Sequence, residues 1–300
     1  MYVLFYFFGI YFISLVKILS IMKALPFKIP KSKNIGLIYQ EDKGVFFYDK
    51  FHQHEEIQLC YIVNGEGTLI IGDSINEYKK GDIIVIGGNQ PHVFKSDVSS
   101  VKNSFMISLF FTSKSFGDNF FELDDFKELN TFFNNSKRSF KLKENKEKLE
   151  KLFLKLPKSR DLDRFIVFIK IMDVIIDSDV ESLSSFVYSK NYTDNEGKRM
   201  RDIMDYTLSN FNKKIELEEI AEVANMTSNA FCRYFKQRTN KTYFSFLNEL
   251  RVEKACKLLQ NKDYLITEIS ERSGFKNISN FNRKFKELKG ITPSSYRLIH

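Results

Sequence analysis

Apolar and polar positions alternate along the first part of the chain. Ile57, Leu59, Tyr61 and Val63 stand at every second position, a spacing typical of a strand with one buried face. Similar short runs follow between about residues 34 and 112, separated by turns that contain glycine. The further predicted strands are Thr68–Ile71, Ile75–Tyr78 and Ile83–Ile86. This succession of short strands favours a β-sandwich or barrel.

The period changes to that of a helix from Glu122 onward. Residues 149, 152, 153 and 156 are all apolar, which places them on one helical face. Asp161 and Asp163 precede an apolar stretch, Phe165–Ile176, that is hydrophobic on more than one side. A helix of that kind packs inside its own domain or against a partner subunit. We therefore interpret Glu144–Leu156 and Phe165–Ile176 as candidate dimerisation helices; the alternative is that both helices cap the barrel.

The last hundred residues contain an internal repeat. Residues 231, 233, 235 and 236 recur fifty positions later with the same identities, as Phe281, Arg283, Phe285 and Lys286. Thr242 recurs as Thr292. Agreement at one spacing over so many positions indicates two copies of one supersecondary unit.

Each copy is predicted to hold two helices around a tight turn. In the first copy, Leu217–Val223 precedes the turn, and Thr227 caps a helix from Ser228 to about Arg238. In the second copy, Thr267 is expected to cap Glu268–Arg272, Gly274 to form the turn, and Asn277 to cap Ile278–Leu288. A long helix over Thr242–Gln260 bridges the copies, and Thr292-Pro293 begins a short final helix. This is the layout of a helix-turn-helix, whose second helix fits a DNA major groove.

The positive charge lies in the same part of the chain. Of the 46 basic and 38 acidic residues, 20 and 13 stand after Asp194, so almost all of the net charge of +8 belongs to the repeat region. Such a distribution indicates an anionic partner, either nucleic acid or a membrane surface; a solvated lysine-rich face is the alternative. The 43% apolar content excludes wholesale disorder. Three well-separated cysteines argue against a disulfide scaffold and favour a reducing compartment.

The stretch Tyr2–Val16 is almost wholly apolar, and Lys17 interrupts it before Ile18–Met22 continues the apolar pattern. No basic residue precedes the apolar run, and its end is a poor site for signal cleavage. The segment is interpreted as a misassigned extension upstream of Met22, with a membrane anchor or an unusual signal as alternatives. The predicted organisation is this extension (1–22), an effector-binding barrel (23–120), a helical region (121–181), a linker (182–196) and a DNA-binding domain (197–300). The fold class is α+β in two domains.

The repeat region resembles the AraC/XylS family of bacterial transcription regulators. The resemblance spans about Arg199 to Arg297 and includes both helix-turn-helix units, the bridging helix and the Thr292-Pro293 ending. It departs at Ser270, where the family usually has alanine. The resemblance implies a cytoplasmic transcription regulator and activator that binds promoter DNA as a homodimer and contacts RNA polymerase.

By position in that resemblance, the outer face of each second helix faces DNA. The implied DNA-binding residues are Asn229, Cys232, Arg233, Lys236, Ser279, Asn282, Arg283 and Lys286. Arginine can bind guanine and asparagine can bind adenine through paired hydrogen bonds. Lys236 and Lys286, with Lys241 and Lys284, are placed for phosphates. For Arg233 and Arg283 the alternative is a surface ion pair, and for Cys232 and Ser279 it is mere exposure.

The barrel region resembles the cupin motifs that effector domains of this regulator family carry. His52, His54, Gln58 and His92 are the matching residues, and period-two alternation puts the first three on one face of a strand. In metal cupins a glutamate stands where this chain has Gln58. We therefore expect a small-molecule effector pocket with no metal or other cofactor; metal binding and a structural role for the histidines are the alternatives. Gly87-Gly88 is expected at the mouth of the pocket.

The predicted function is that of a non-enzymatic, ligand-responsive DNA-binding regulator. No serine–histidine–aspartate set or pair of carboxylates indicates catalysis. A metal-dependent cupin enzyme with a DNA-binding appendage and a membrane-tethered regulator are the rival hypotheses.

Overall fold

The computed structural model describes residues 26–30, 36–97, 103–187 and 192–299. Strands dominate the first part of the chain and helices the second. The strands are β1 (Ile38–Gly44), β2 (Ile57–Asn64), β3 (Gly67–Ile71), β4 (Ser74–Tyr78), β5 (Ile83–Ile86), β6 (His92–Ser96), β7 (Ser104–Phe111), β8 (Phe140–Leu142) and β9 (Val180–Ser182). The helices are α1 (Leu129–Ser136), α2 (Lys146–Phe153), α3 (Asp161–Ile176), α4 (Asp194–Asn210), α5 (Leu217–Val223), α6 (Ser228–Thr239), α7 (Tyr243–Leu259), α8 (Ile266–Arg272), α9 (Ile278–Lys289) and α10 (Pro293–Ile299). This confirms the predicted α+β class. The segment 1–22 lies outside the described residues.

The strands form two antiparallel sheets. One has six strands in the order β1-β7-β2-β5-β8-β9, and the other has three in the order β4-β3-β6. Strand β2 shows why both faces of the larger sheet are apolar. Leu59 and Tyr61 contribute to the core beneath helices α1–α3, whereas Cys60 and Ile62 belong to the core between the sheets. Alternation along this strand therefore separates two buried faces.

The region 121–181 packs on the barrel and also extends it. Phe153 of α2 and Phe168 of α3 are fully buried against the larger sheet. Strand β8 pairs with β5, and β9 pairs with β8, so two short strands of the predicted helical region complete the six-stranded sheet. These helices therefore do cap the barrel, as the alternative interpretation held.

Both ends of the predicted linker contribute to folded parts of the chain. Ser184 and Ser185 both donate hydrogen bonds to the carboxylate of Asp73, which is buried in the turn between β3 and β4. Helix α4 begins at Asp194, inside the predicted linker, because Thr193 and Glu196 form a capping box. Residues 188–191 of this stretch lie outside the described residues.

The smaller sheet packs directly against the helical domain. Ile70 of β3 and Val93 of β6 share one apolar cluster with Met200 and Ile203 of α4. At the edge of this interface Lys254 of α7 lies 3.9 Å from the carboxylate of Asp97. Because the cluster is continuous across the two domains, the barrel and the helical domain form a common core.

Candidate nucleic-acid interface and barrel cavity

The first helix-turn-helix unit consists of α5 and α6. Asn225 stands in the turn with a left-handed φ of 53°. The Met226 N–H then donates to the carbonyl of Ala221 at 2.9 Å, which closes the turn. Thr227 caps α6 through a hydrogen bond from the Ala230 N–H. Helix α5 has the predicted bounds, and the predicted cap of α6 is confirmed.

The second unit, α8 and α9, repeats this geometry. Gly274 takes the place of Asn225 with φ +90°, and the Phe275 N–H donates to Ser270 at 2.9 Å. A side chain at position 274 would also strike the carbonyl of Phe211, 2.4 Å from its Cβ, so two independent constraints require glycine here. Ser270 is buried like Ala221, its counterpart in the first unit, so the serine leaves the turn intact.

The predicted start of α8 is wrong. The helix begins at Ile266, and Thr267 lies within its first turn instead of capping it. The carboxylate of Glu268 accepts a hydrogen bond from the Leu265 N–H at 2.9 Å. Glu219 and Glu216 make the same contact in the first unit at 3.1 Å. In each unit the glutamate accepts a hydrogen bond from the backbone N–H three residues before it, which would otherwise lack a partner. This contact fixes the residue at which the helix begins.

The two second helices, α6 and α9, are equivalent. Each has twelve residues and ends in a left-handed residue, Asn240 in one and Gly290 in the other. Each buries two phenylalanines fully and turns its other face outward. All eight residues that the resemblance assigns to DNA are exposed on these outer faces: Asn229, Cys232, Arg233, Lys236, Ser279, Asn282, Arg283 and Lys286.

The two outer-face arginines have different surroundings. Arg283 donates to the amide oxygen of Asn280 at 2.9 Å and lies 3.5 Å from the carboxylate of Glu287. Within the described residues Arg233 makes no salt bridge. The surface ion pair that was the alternative reading therefore exists only for Arg283, where both partners are exposed and the pair is weak.

Two lysines that were expected to contact phosphates form salt bridges with carboxylates of the protein. Lys241 pairs with Glu249 at 2.6 Å and lies 3.9 Å from Asp73 of the barrel. Lys284 pairs with Glu287 at 2.9 Å. Lys241 thus belongs to the contact between domains, and the expectation that it faces DNA is not supported by its position.

A cavity of about 300 Å³ lies inside the barrel between the two sheets. All four residues predicted for an effector pocket line it, although they come from separate parts of the chain. The lining residues are Ile29, Gln40, Asp42, Phe47, Tyr48, His52, His54, Gln58, His92, Phe94, Met106 and Phe110. Gln40 and Asp42 of β1 also line the cavity and were not predicted, although two polar residues at alternate positions of one strand are a recognisable signal.

The three histidines are held in the same way. The Nδ1 atoms of His52, His54 and His92 each lie 2.8 Å from a backbone carbonyl, those of Lys50, Glu56 and Gln90 respectively. A carbonyl can only accept, so each Nδ1 carries the proton, and in the neutral ring Nε2 then has the free electron pair. One ring nitrogen of each histidine lies within 4.8 Å of those of the other two.

Gln58 completes this cluster. Its side-chain nitrogen donates to the hydroxyl of Ser108 at 3.0 Å, and its carbonyl oxygen lies 3.3 Å from Nε2 of His54. In a neutral ring protonated at Nδ1, both of these facing atoms are acceptors, so a hydrogen bond between them needs a second proton on the ring. A cation between them satisfies both, as does a rotated amide. Three imidazoles and a carboxamide are a donor set that Zn, Ni, Cu or Fe accepts.

Gly87 and Gly88 were expected at the mouth of this cavity, but they do not line it. A Cβ at Gly87 would lie 2.2 Å from the carbonyl oxygen of Ser136, and one at Gly88 would lie 2.3 Å from that of Glu55. The two glycines therefore allow close approach of backbone segments on the outer side of the barrel.

Helices α2 and α3 keep apolar residues on the surface in addition to their buried faces. Leu162 of α3 is 70% exposed and Ile166, one turn later, is 44% exposed. Leu154, at the end of α2, is exposed as well. Among the helices of the described ranges, none has the length and hydrophobicity of a membrane span.

Comparison with known proteins finds one domain match in each part of the chain. Residues 220–298 match the model of a helix-turn-helix domain, and residues 46–102 match that of a cupin domain. The chain therefore contains one region similar to cupin domains and one similar to helix-turn-helix domains.

Individual relatives agree with the domain matches. The chain is 33% identical over 102 residues to the uncharacterized HTH-type transcriptional regulator YdeC of Bacillus subtilis (strain 168), which covers 34% of this chain and 35% of the relative. It is 31% identical over 105 residues to the HTH-type transcriptional activator RhaS of Salmonella arizonae, covering 35% of this chain and 37% of the relative. Each match thus spans about a third of the relative's length.

A solved structure of the DNA-binding domain of AdpA in complex with a target DNA is also similar. It is 27% identical and covers 32% of this chain and 87% of that chain, with a TM-score of 0.31.

Proposed function

We propose that this protein is a sequence-specific, DNA-binding transcription regulator whose activity is set by a small molecule bound in the cupin barrel. The observation that carries the proposal is the pair α6 and α9. They are equivalent twelve-residue helices, fifty positions apart, that both present arginine, lysine and asparagine or serine on an exposed face. Nothing in the packing of a helical domain requires such a face twice, whereas reading two stretches of major groove does.

Two kinds of contact follow from the side chains on these helices. Arg233 and Arg283 read base edges, since a guanidinium can donate two hydrogen bonds to guanine O6 and N7. Lys236 and Lys286 neutralise phosphates, which contributes affinity without sequence preference. One monomer then contacts two successive major-groove segments on one side of the duplex.

The barrel supplies the regulatory input. Its cavity combines aromatic walls with the polar cluster around His54, a composition typical of small-molecule sites. An effector changes DNA occupancy only if it binds two conformations unequally. In this proposal the protein performs no catalysis, acts as a homodimer and communicates with RNA polymerase at promoters. The exposed Leu162 and Ile166 are the proposed centre of the dimer contact.

Selection of duplexes from a random library by the full-length chain tests this proposal. We expect enrichment of one motif with two half-sites, and an affinity that falls steeply as salt concentration rises. Binding of all duplexes with equal affinity would contradict sequence-specific regulation. Loss of enrichment in Arg233→Ala together with Arg283→Ala, with the fold unchanged by circular dichroism, would support the assigned faces.

A divalent transition metal is a second candidate for the bound ligand, favoured by the three histidine ring nitrogens that lie within 4.8 Å of one another. The imidazoles of His52, His54 and His92 with the Gln58 oxygen would hold the ion. A bound metal of this kind supplies Lewis-acid chemistry or serves as the signal itself. Equilibrium dialysis against Zn²⁺ and Ni²⁺ tests whether the cavity binds a metal. Binding of one ion per chain, lost in His54→Ala, would support the metal site. A cavity that takes up no metal leaves an organic effector as the ligand.

A further inference from the structure

The cavity and the helical domain are connected by three consecutive residues, Lys50, Phe51 and His52. The ring of His52 lines the cavity. Its backbone N–H and carbonyl both pair with His92, at 3.0 and 2.8 Å, in an isolated antiparallel bridge. This extended backbone places the side chains of neighbouring residues on opposite sides. The residue before His52 must therefore face away from the cavity.

Phe51 does face away, into the helical domain. Its side chain is only 1% exposed and belongs to the same apolar cluster as Met200, Ile203 and Met204 of α4. A single peptide unit thus separates a cavity-lining ring from a side chain buried against the first helix of the DNA-binding domain.

Two polar contacts fix the same segment to the same helix. The Phe51 carbonyl accepts a hydrogen bond from Nε of the buried Arg201 at 2.9 Å. The Lys50 ammonium forms a salt bridge with Asp205 at 3.0 Å. Arg201 and Asp205 are four residues apart and therefore lie on one face of α4.

We propose that the segment Lys50–His52 transmits the state of the barrel cavity to helix α4 and, through it, to the DNA-binding helices. The inference rests on the proposed function for its biological meaning. The Phe51 carbonyl and the His52 N–H belong to one planar peptide unit, and Nδ1 of the His52 ring is anchored to the Lys50 carbonyl at 2.8 Å. A ligand that displaces this ring therefore pulls on the peptide units on both sides of Phe51, and with them on the carbonyl that Arg201 binds. His92 is followed by Val93, which also belongs to this apolar cluster, whereas the two polar contacts with Arg201 and Asp205 come from Phe51 and Lys50.

Hydrogen exchange of the full-length protein tests this connection without any need for DNA. His52→Ala is expected to raise the exchange rates of α4 amides at least fivefold relative to those of α9, which serves as the internal reference. His54→Ala is the matched control, since it removes the same side chain from the same cavity; it should change α4 exchange less than twofold. Equal effects of the two variants, or a rise that is uniform over the chain, would overturn the proposal.

A double-mutant cycle in DNA binding supplies the second measurement. Affinity for the selected duplex is measured for wild type, His52→Ala, Arg201→Gln and the double variant. We expect His52→Ala to change Kd at least fivefold in the wild-type background and less than twofold with Arg201→Gln. The same change in both backgrounds would exclude transmission through Arg201.

Two further variants keep this cycle interpretable. Asp205→Asn breaks the salt bridge with Lys50 at a half-buried position. It takes the place of Arg201→Gln in the cycle if the Arg201→Gln variant fails to fold. Lys254→Gln removes a lysine–aspartate pair between the same domains, away from the segment, and should leave the fivefold effect intact. If the wild type enriches no duplex while His52→Ala still changes α4 exchange selectively, the proposed DNA function fails and the connection stands.

Discussion

The ring of Phe27 lies directly against the Cα of Gly197, in a notch that any side chain at position 197 would fill. A Cβ there would lie 2.2 Å from Cδ1 of the ring. Gly197 stands in the first turns of α4, and glycine within a helix costs up to about 1 kcal/mol relative to alanine. The contact between the two domains therefore accounts for a residue that the helix alone disfavours.

Gly197→Ala is expected to have opposite effects in two backgrounds. In the wild type it should destabilise the protein by about 1–3 kcal/mol, because the new methyl group meets the Phe27 ring. In Phe27→Ala the notch is open, and the same change should stabilise the chain by up to about 1 kcal/mol. Urea unfolding of all four proteins measures both values. Destabilisation of equal size in both backgrounds would show that the ring is not the obstacle.

Arg233→Ala and Arg283→Ala are each expected to weaken specific binding by about 1–3 kcal/mol and to relax the preference at one base position. Arg283 must leave Asn280 and Glu287 to reach a base, so its loss should cost less than that of Arg233. Fluorescence anisotropy against single-base variants of the selected duplex provides the values.

Two control variants accompany these arginines. Lys236→Ala should weaken binding to all duplexes alike and lower the salt dependence by about one ion. Arg160→Ala, an exposed arginine of the barrel domain, should have no effect. A base-specific effect of Lys236→Ala would require a different orientation of α6 on DNA.

Glu77→Gln is expected to stabilise the protein at neutral pH. Burial at the edge of the cleft between β4 and α7 raises the pKa of the Glu77 carboxyl, although Lys257 partly opposes the shift. A carboxyl whose pKa is raised in the folded state favours folding below its unfolded pKa of about 4.3 and loses that contribution as the pH rises through the folded pKa. The stability gained by Glu77→Gln should therefore shrink between pH 7 and pH 4.5. A gain that is independent of pH would rule out this carboxyl as its source.

Gln58→Glu is expected to tighten Zn²⁺ binding at least tenfold, or about 1.4 kcal/mol, because it adds a charged ligand to the neutral set of His52, His54 and His92. Isothermal titration at pH 7 measures the change. Gln58→Leu, which has no donor atom and a similar size, is the control and should weaken binding. Unchanged affinity in both variants would place the ion outside this cluster.

Leu162→Glu combined with Ile166→Lys is expected to convert a dimer into a monomer. The two side chains are one turn apart on the exposed side of α3, and their replacement introduces charges into an apolar contact. Sedimentation velocity at several concentrations distinguishes the states. Leu123→Glu, at another exposed leucine of the barrel domain, is the control. A double variant that still sediments as a dimer would move the contact elsewhere.

Local signals in the sequence predicted much of the helical domain. The predicted caps Thr227 and Asn277 stand where the structure has them, because a capping hydrogen bond joins residues three positions apart. The start of α8 was missed because Thr267 matched a cap by residue type, whereas the longer side chain of Glu268 reaches the Leu265 N–H.

Contacts between distant residues could not be predicted in this way. The bond between Arg201 and the Phe51 carbonyl joins positions 150 residues apart, and the notch at Gly197 depends on a ring from residue 27. The histidine cluster was found only through resemblance, since its geometry depends on the pairing of His52 with His92. Lys241 was misread for the same reason, because its neighbour Asp73 belongs to another domain.

Helix α7 runs without interruption from Tyr243 to Leu259 and buries residues in the cores of both helix-turn-helix units. This helix is about 25 Å long and rigid, so it fixes the distance between α6 and α9. In the proposed complex the protein would therefore dictate the spacing of the operator. Five extra base pairs between the half-sites would turn the second one to the far side of the duplex, beyond the reach of the same molecule.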